Sequence, residues 1–217
     1  ASCLVGSEMC IRDSPNILDK EKEAIWFIND TVVKFSDDTS FIANRIKRAT
    51  VLKKYIPNLI GHTRNMYAYT KCEGKVFSDI ATPQSFVELL NHSSKFWKIK
   101  KLDSVSNTLF KKSCLKFYKE KTINRINMFY ETFNQKDDAY IINDLETENL
   151  GKLIENINWE WISDGIPGNF HGDFHFENIV LSYNNKFIFL DWRQDFDVNI
   201  TIGDIYYDFS KLLHGLF

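Results

Sequence analysis

The chain has 217 residues, 44% of them apolar, enough for one large or two small domains around a sizeable core. Its 27 basic and 29 acidic side chains nearly cancel, so no global field recommends a nucleic-acid or membrane partner. No apolar run reaches the length of a membrane span and no signal peptide is recognisable, which makes a cytoplasmic protein the default expectation.

The opening ASCLVGSEMCIRDS differs in character from the remainder of the chain. Leu4 to Asp13 resembles one reading frame of a transposon-end sequencing adapter, so residues 1–14 are expected to be adapter-derived and the chain a fragment. Cys3 and Cys10 fall in that stretch; Cys72 and Cys114 have no metal or redox spacing and read as reduced, part-buried thiols. AIWFIND and TVVKF read as two strands joined at Asn29-Asp30, because both side chains tolerate positive φ. That register sets Trp26 opposite Val33 and Ile25 opposite Lys34. Thr39 to Tyr55 reads as a basic helix ending before Pro57, with the run Arg45 to Lys54 as a solvated face. NMYAYTKCEGKVFSDI alternates like a strand and breaks at Gly74.

From Thr82 the character turns helical. Thr82 is a cap with Pro83 at the first helical position, and Phe86, Leu89 and Leu90 share one face. A long helical region near 103–133 carries Ile126, Phe129, Tyr130 and Phe133 at three- and four-residue spacing. A charged loop follows, then a helix with Leu150, Leu153, Ile154, Ile157 and Trp161. The order is a small β-rich part, residues 15–80, before a larger helical part, residues 81–217.

Chemistry concentrates in FHGDFHFENIVL, residues 170–181. His171 and His175 could supply two zinc ligands at helical spacing, but Gly172 weakens a helix there and the other histidines, His62, His92 and His214, form no ligand pair. A phosphoryl-transfer loop is the better reading. Such loops in protein kinases carry an aspartate that accepts the acceptor's proton and, after four intervening residues, an asparagine that holds magnesium; Asp173 and Asn178 have that spacing. The next segment, IVLSYNNKFIFLDW, reads as a hairpin with Asn184-Asn185 as a two-residue loop. Counting back from that loop sets Asn178 directly opposite Asp191, so two hard oxygen ligands would meet beside Asp173.

HGDFHFEN, FLDW and GDIYYDF resemble, in order and spacing, the signature of the aminoglycoside phosphotransferase and choline kinase-like family, specifically across Phe170 to Leu213 and faintly from Ala24 to Ile80. The resemblance implies an α+β, two-lobed protein-kinase-like fold, with an incomplete β-rich N-lobe and a truncated helical C-lobe. It implies Asp173 as catalytic base and Asn178 and Asp191 as magnesium ligands. It also implies support from His171, from Asp204 as cap of the following helix, and from Asp208 bonding back to the catalytic loop. Lys34 would reach the nucleotide phosphates, and the Thr70 carbonyl and Cys72 amide would hold adenine at a hinge, TKCEG. The cofactors implied are ATP (or GTP) and Mg2+.

Three features depart from the family pattern. No acidic residue on Thr39 to Tyr55 is available to pair with Lys34; Asn44, Lys47 or Arg48 occupies that region. No glycine-rich phosphate loop is present, and the chain stops at HGLF. The expected activity is transfer of a γ-phosphate to a hydroxyl of a small molecule: a sugar, amino sugar or amino-alcohol. SCLKFYKEKTINRINMFYE resembles bacterial relatives associated with sugar-nucleotide synthesis, which favours a sugar. The competing reading is a catalytically impaired nucleotide-binding scaffold.

Overall fold

The computed structural model of the chain describes residues 3–4 and 22–216. Strand β1 (Cys3–Leu4) pairs with β2 (Glu23–Ile28); the rest of the segment read as adapter-derived lies outside the described residues. Strand β3 (Thr31–Ser36) returns from β2 with Trp26 opposite Val33 and Ile25 opposite Lys34, the register expected from the sequence. Asn29 turns the chain at φ 51°, a left-handed value that asparagine tolerates better than most residues. Helix α1 (Thr39–Leu52) starts on Asp38, whose carboxylate accepts from the amides of Ser40 and Phe41, and stops short of Tyr55. Strands β4 (Leu59–His62) and β5 (Met66–Thr70) complete a sheet of order β1-β2-β3-β5-β4. Strand alternation puts Lys34 on the same face as Val32, and across from Tyr67, so its stem runs along the buried side of the sheet with Ile25, Tyr67 and Tyr69.

The buried stripe of α1 is Ile42, Arg45, Ala49 and Leu52, with Arg48 beside it. Arg45 is 7% exposed and Arg48 1%, so this part of the basic run is not a solvated face. Arg48 donates to the carbonyls of Ile200 and Phe170 and its guanidinium carbon lies 3.7 Å from the centre of the Phe170 ring, while its Nε is buried without an acceptor. Burial lowers its pKa to about 9.

The strand expected to run to a break at Gly74 stops at Thr70, and Gly74 instead opens a short strand, β6 (Gly74–Val76), before helix α2 (Phe77–Ile80). Helix α3 (Pro83–Ser94) has the expected start, a reciprocal cap between Thr82 and Ser85 with Pro83 in the first turn. Helices α4 (Ser104–Leu115) and α5 (Lys121–Phe133) are joined by a π-helical stretch, Lys116–Glu120. Where a loop was expected, β7 (Tyr140–Ile142) and β8 (Leu145–Thr147) form a hairpin. The single helix expected after it is two, α6 (Leu150–Glu155) and α7 (Trp159–Ile162). Asn158 accepts from the Trp161 amide and starts the second, an alternative to continuous helix that asparagine offers and a larger side chain does not.

Strand β9 (Pro167–Gly168) leads to the 170–178 segment, then β10 (Ile179–Ser182) and β11 (Phe187–Phe189). Their hairpin corrects the sequence reading by one residue. Ile179 pairs with Phe189, Val180 with Ile188 and Leu181 with Phe187, and the Leu190 amide donates to the Asn178 carbonyl. Asn178 therefore faces Leu190, not Asp191. The loop is Tyr183 to Asn185, closed by the Ser182 amide donating to the Lys186 carbonyl, with Asn185 at φ 58°. A three-residue loop ending in a left-handed residue is as well served by asparagine as a two-residue loop is, so the sequence fits both. Strand β12 (Gly203–Asp204) and helix α8 (Ile205–His214) follow.

The chain forms two compact units: residues 1–101 with 166–217, and residues 102–165. In the second, Asp137 is the hub, accepting from the Tyr130 hydroxyl and the amides of Leu150 and Gly151. The first has an aromatic core in which Phe174 and Phe189 meet at right angles 4.7 Å apart, flanked by Phe96 and Trp97. No helix among the described residues is long and apolar enough to cross a membrane.

The loop assignment is testable. Asn185→Val should lower the unfolding free energy by about 1–2 kcal/mol, because a β-branched side chain is strained at that backbone angle. Asn185→Gly should change it by less than about 0.5 kcal/mol. Urea denaturation that finds valine as well tolerated as glycine contradicts the three-residue loop.

Candidate active site

The segment Phe170 to Asn178 owes its shape to a buried carboxylate from α8. Asp208 accepts from the His171 amide and the Trp97 indole, at 2.7 and 2.9 Å, through one oxygen, and from the Gly172 amide at 2.7 Å through the other. Burial pushes its pKa up to about 6, against those three donors. Gly172 sits at φ 90°, where a Cβ would lie 2.5 Å from that of Arg193, so both backbone angle and space demand glycine. The buried His171 ring accepts from the Asp173 amide through Nδ1 at 3.3 Å. Burial lowers its pKa to about 3, which keeps it neutral at ordinary pH, and its Nε2 meets no partner. Asp204 caps α8 through the Tyr206 amide at 3.0 Å and holds the Ile166 amide at 2.9 Å.

Asp173 projects from this braced turn. Lys211 on α8 lies 2.8 Å from its Oδ1, and Asn178 Nδ2 donates to its Oδ2 at 3.3 Å and its carbonyl at 3.0 Å. His175 stands 3.5 Å from Oδ2 and 3.0 Å from Asn178 Nδ2. Burial works against the Asp173 charge, but His175 and Lys211 outweigh it and hold the carboxyl below its usual range. Lys211 escaped sequence reasoning: it is one more lysine on an amphipathic helix until the fold brings it to Asp173.

Asp191 forms the second focus. It has φ 51°, an unusual backbone angle for a residue just past a strand. Lys34 Nζ reaches its Oδ1 at 3.1 Å, and Arg45 Nη1 donates to the same oxygen. Burial again opposes the carboxylate charge, but Arg45 and Lys34 hold Asp191 well below the usual range. Lys34 is itself lowered to about 8 by burial, which outweighs the pull of Asp191. The helix residue for which the sequence offered Asn44, Lys47 or Arg48 is in fact Arg45, and it meets the aspartate, not the lysine. The Trp192 indole donates to the Arg45 carbonyl at 3.0 Å, and Arg48 holds the Phe170 carbonyl, so both phosphotransferase-like motifs grip α1.

At the proposed hinge, the Thr70 amide donates to the Asn58 carbonyl and the half-buried Cys72 thiol approaches the Thr70 carbonyl at 4.0 Å. Burial raises the Cys72 pKa to about 11, so the thiol stays protonated. The Cys72 amide meets no acceptor among the described residues.

Carboxylate and amide oxygens are the kind of donor that a hard divalent ion takes. Asp191 Oδ2 and Asn178 Oδ1 accept no hydrogen bond from the described residues, which leaves each an oxygen to offer. No group of three or more His, Cys, Asp or Glu side chains suited to a metal occurs among the described residues. His171, half of the alternative zinc pair, is buried against Phe174.

Two measurements probe these contacts. Asp208→Asn should destabilise the protein by about 2–4 kcal/mol, since three buried donors lose the anion they converge on; an unchanged denaturation midpoint contradicts that role. Replacing Asp191 by asparagine removes the attraction that holds up the Lys34 pKa. The Lys34 titration, followed by NMR, should then move below about 8; an upward move contradicts the pairing.

Residues 121–217 match the family model of the phosphotransferase enzyme family (APH). No curated protein matches the chain. Among solved structures, it resembles the aminoglycoside phosphotransferase APH(2'')-IIa, captured in a ternary complex with streptomycin and ATP. The TM-score is 0.52 and the identity 17%, over 88% of this chain and 67% of that one. At that identity the likeness establishes fold alone. Residues 121–217 are thus similar to the phosphotransferase enzyme family, and the chain has a kinase-like α+β fold.

Proposed function

We propose that the protein transfers the γ-phosphate of ATP to a hydroxyl of a small molecule. The observation that carries this reading is the meeting of Lys34, from the N-terminal sheet, with Asp191, from the segment after β11, at 3.1 Å. A solvated strand lysine has no reason to be buried against a carboxylate 157 residues away. A phosphate-binding lysine beside a metal-binding aspartate has one.

In this reading Asp173 orients the acceptor hydroxyl and takes its proton. The acceptor oxygen forms a bond to the γ-phosphorus while the bond to the β–γ bridging oxygen breaks, and ADP leaves. The depressed pKa of Asp173 makes it a weak base, which suits a loose transition state in which the proton departs late and positioning does most of the work. Asn178 and Asp191 would hold Mg2+, which when bound supplies positive charge to the phosphate oxygens. Lys34 contributes a second positive charge there. The Thr70 carbonyl and the uncommitted Cys72 amide offer adenine an acceptor and a donor. GTP would meet the same backbone groups less well, because its ring edge reverses their polarity.

The acceptor class follows less directly. The neighbouring structure holds streptomycin with ATP, which supports a polyhydroxylated small molecule. The likeness of residues 113–131 to sugar-nucleotide enzymes favours a sugar hydroxyl over an amino-alcohol.

Asp173→Ala should abolish phosphoryl transfer and leave nucleotide binding within about threefold, since the carboxylate touches the acceptor and not the nucleotide. Turnover close to that of the unaltered protein, in a coupled assay over a panel of sugars, amino sugars and amino-alcohols, would remove Asp173 as the base. Asp191→Ala should abolish the gain in ATP affinity that Mg2+ confers. Equal calorimetric affinities with and without the ion in the unaltered protein contradict the metal assignment.

A further inference from the structure

One buried cation is only partly satisfied by Asp191. Arg45 is 7% exposed, its Nη1 meets that carboxylate, and its Nε is buried without an acceptor. The Phe41 ring lies 4.8 Å from its guanidinium carbon, and Tyr67, Glu23, Lys34 and Arg48 are ionisable groups that interact with it besides Asp191. A guanidinium carries five donors in a rigid fork, and a buried one left partly unpaired is costly. The chemistry that completes it is an anion with several oxygens in a plane or tetrahedron, and phosphate is the commonest of these.

Its position points the same way. Arg45 and Lys34 share one oxygen of Asp191. A divalent ion bound through the other oxygen, Oδ2, draws on the same negative charge, so metal binding weakens the electrostatic hold of Asp191 on Arg45.

We propose that Arg45 exchanges partners. It holds Asp191 in the metal-free protein and turns to the phosphate oxygens when the metal–nucleotide complex binds. Helix α1 thus supplies phosphate-binding charge where the kinase pattern places a carboxylate. This rests on the phosphotransferase reading of the same site. Arg45 acts by binding and positioning the nucleotide, and exchanges no proton with it.

The test compares the unaltered protein with Arg45→Gln and Arg45→Lys. Calorimetry measures affinity for Mg·ATP and for adenosine, and electron paramagnetic resonance measures Mn2+ bound without nucleotide. Arg45→Gln should weaken Mg·ATP about tenfold or more, the worth of a charge-assisted contact. Adenosine affinity should stay within about twofold, because no phosphate is present to miss the arginine. Mn2+ should bind more tightly, since a competitor for Asp191 is gone. Arg45→Lys, which keeps the charge and loses the fork, should fall between. If the glutamine variant does not fold, the lysine variant is read by the same ratio of ATP to adenosine affinities. Equal weakening of ATP and adenosine, or unchanged Mn2+ affinity, overturns the exchange and leaves Arg45 a structural tie. Failure of the unaltered protein to bind either ligand would instead overturn the phosphotransferase reading beneath it.

Discussion

A single carboxylate, Asp191, gathers the pieces on which the site depends. Lys34 comes to it from the sheet and Arg45 from helix α1, and all three groups are withdrawn from water. Burying charges is expensive, and the arrangement stands only because each is paired. Loss of one partner would leave the others uncompensated, so the ionic cluster fixes strand, helix and the segment after β11 relative to one another. Within this unit the cluster is as much a positional constraint as a chemical centre.

A second carboxylate is another such hub. Asp208 gathers the amides of His171 and Gly172 and the indole of Trp97, and thereby fixes the turn from which Asp173 projects. Around both lies an aromatic core that leaves little freedom. The Phe174, Phe189, Phe96 and Trp97 rings interlock, and Gly203 passes so close to Phe170 that a Cβ would sit 2.5 Å from the ring. Rigid surroundings suit chemistry that works by placement, because the groups need no reorganisation when charge develops.

Local rules carried the sequence reading where the relevant physics is local. The β2–β3 register follows from a turn asparagine, and the start of α3 from Thr82 and Pro83. The 170–178 segment was legible because polar residues at fixed spacing sit beside an aliphatic strand. Long-range physics was not legible. Arg45 and Arg48 belong to a basic run, and nothing within it says that their partners lie 146 and 122 residues further on. Lys211 was missed for the same reason. The one-residue error in the β10–β11 register has a narrower cause: asparagine suits the left-handed position of two loop types, and the choice rests on hydrogen bonds that sequence does not display. Cross-strand pairing therefore does not bring Asn178 and Asp191 together: Asn178 faces Leu190, and Asp191 lies one residue further on, at its own positive φ.

The proposed chemistry stands or falls on whether Asn178 and Asp191 bind one divalent ion beside Asp173. Anomalous diffraction at the manganese edge, from crystals grown with Mn2+ and a non-hydrolysable ATP analogue, tests this most directly. The expected result is a peak within coordination distance of an oxygen from both side chains, with Arg45 turned to the phosphates. A fully occupied nucleotide with no manganese peak at these two residues would contradict it.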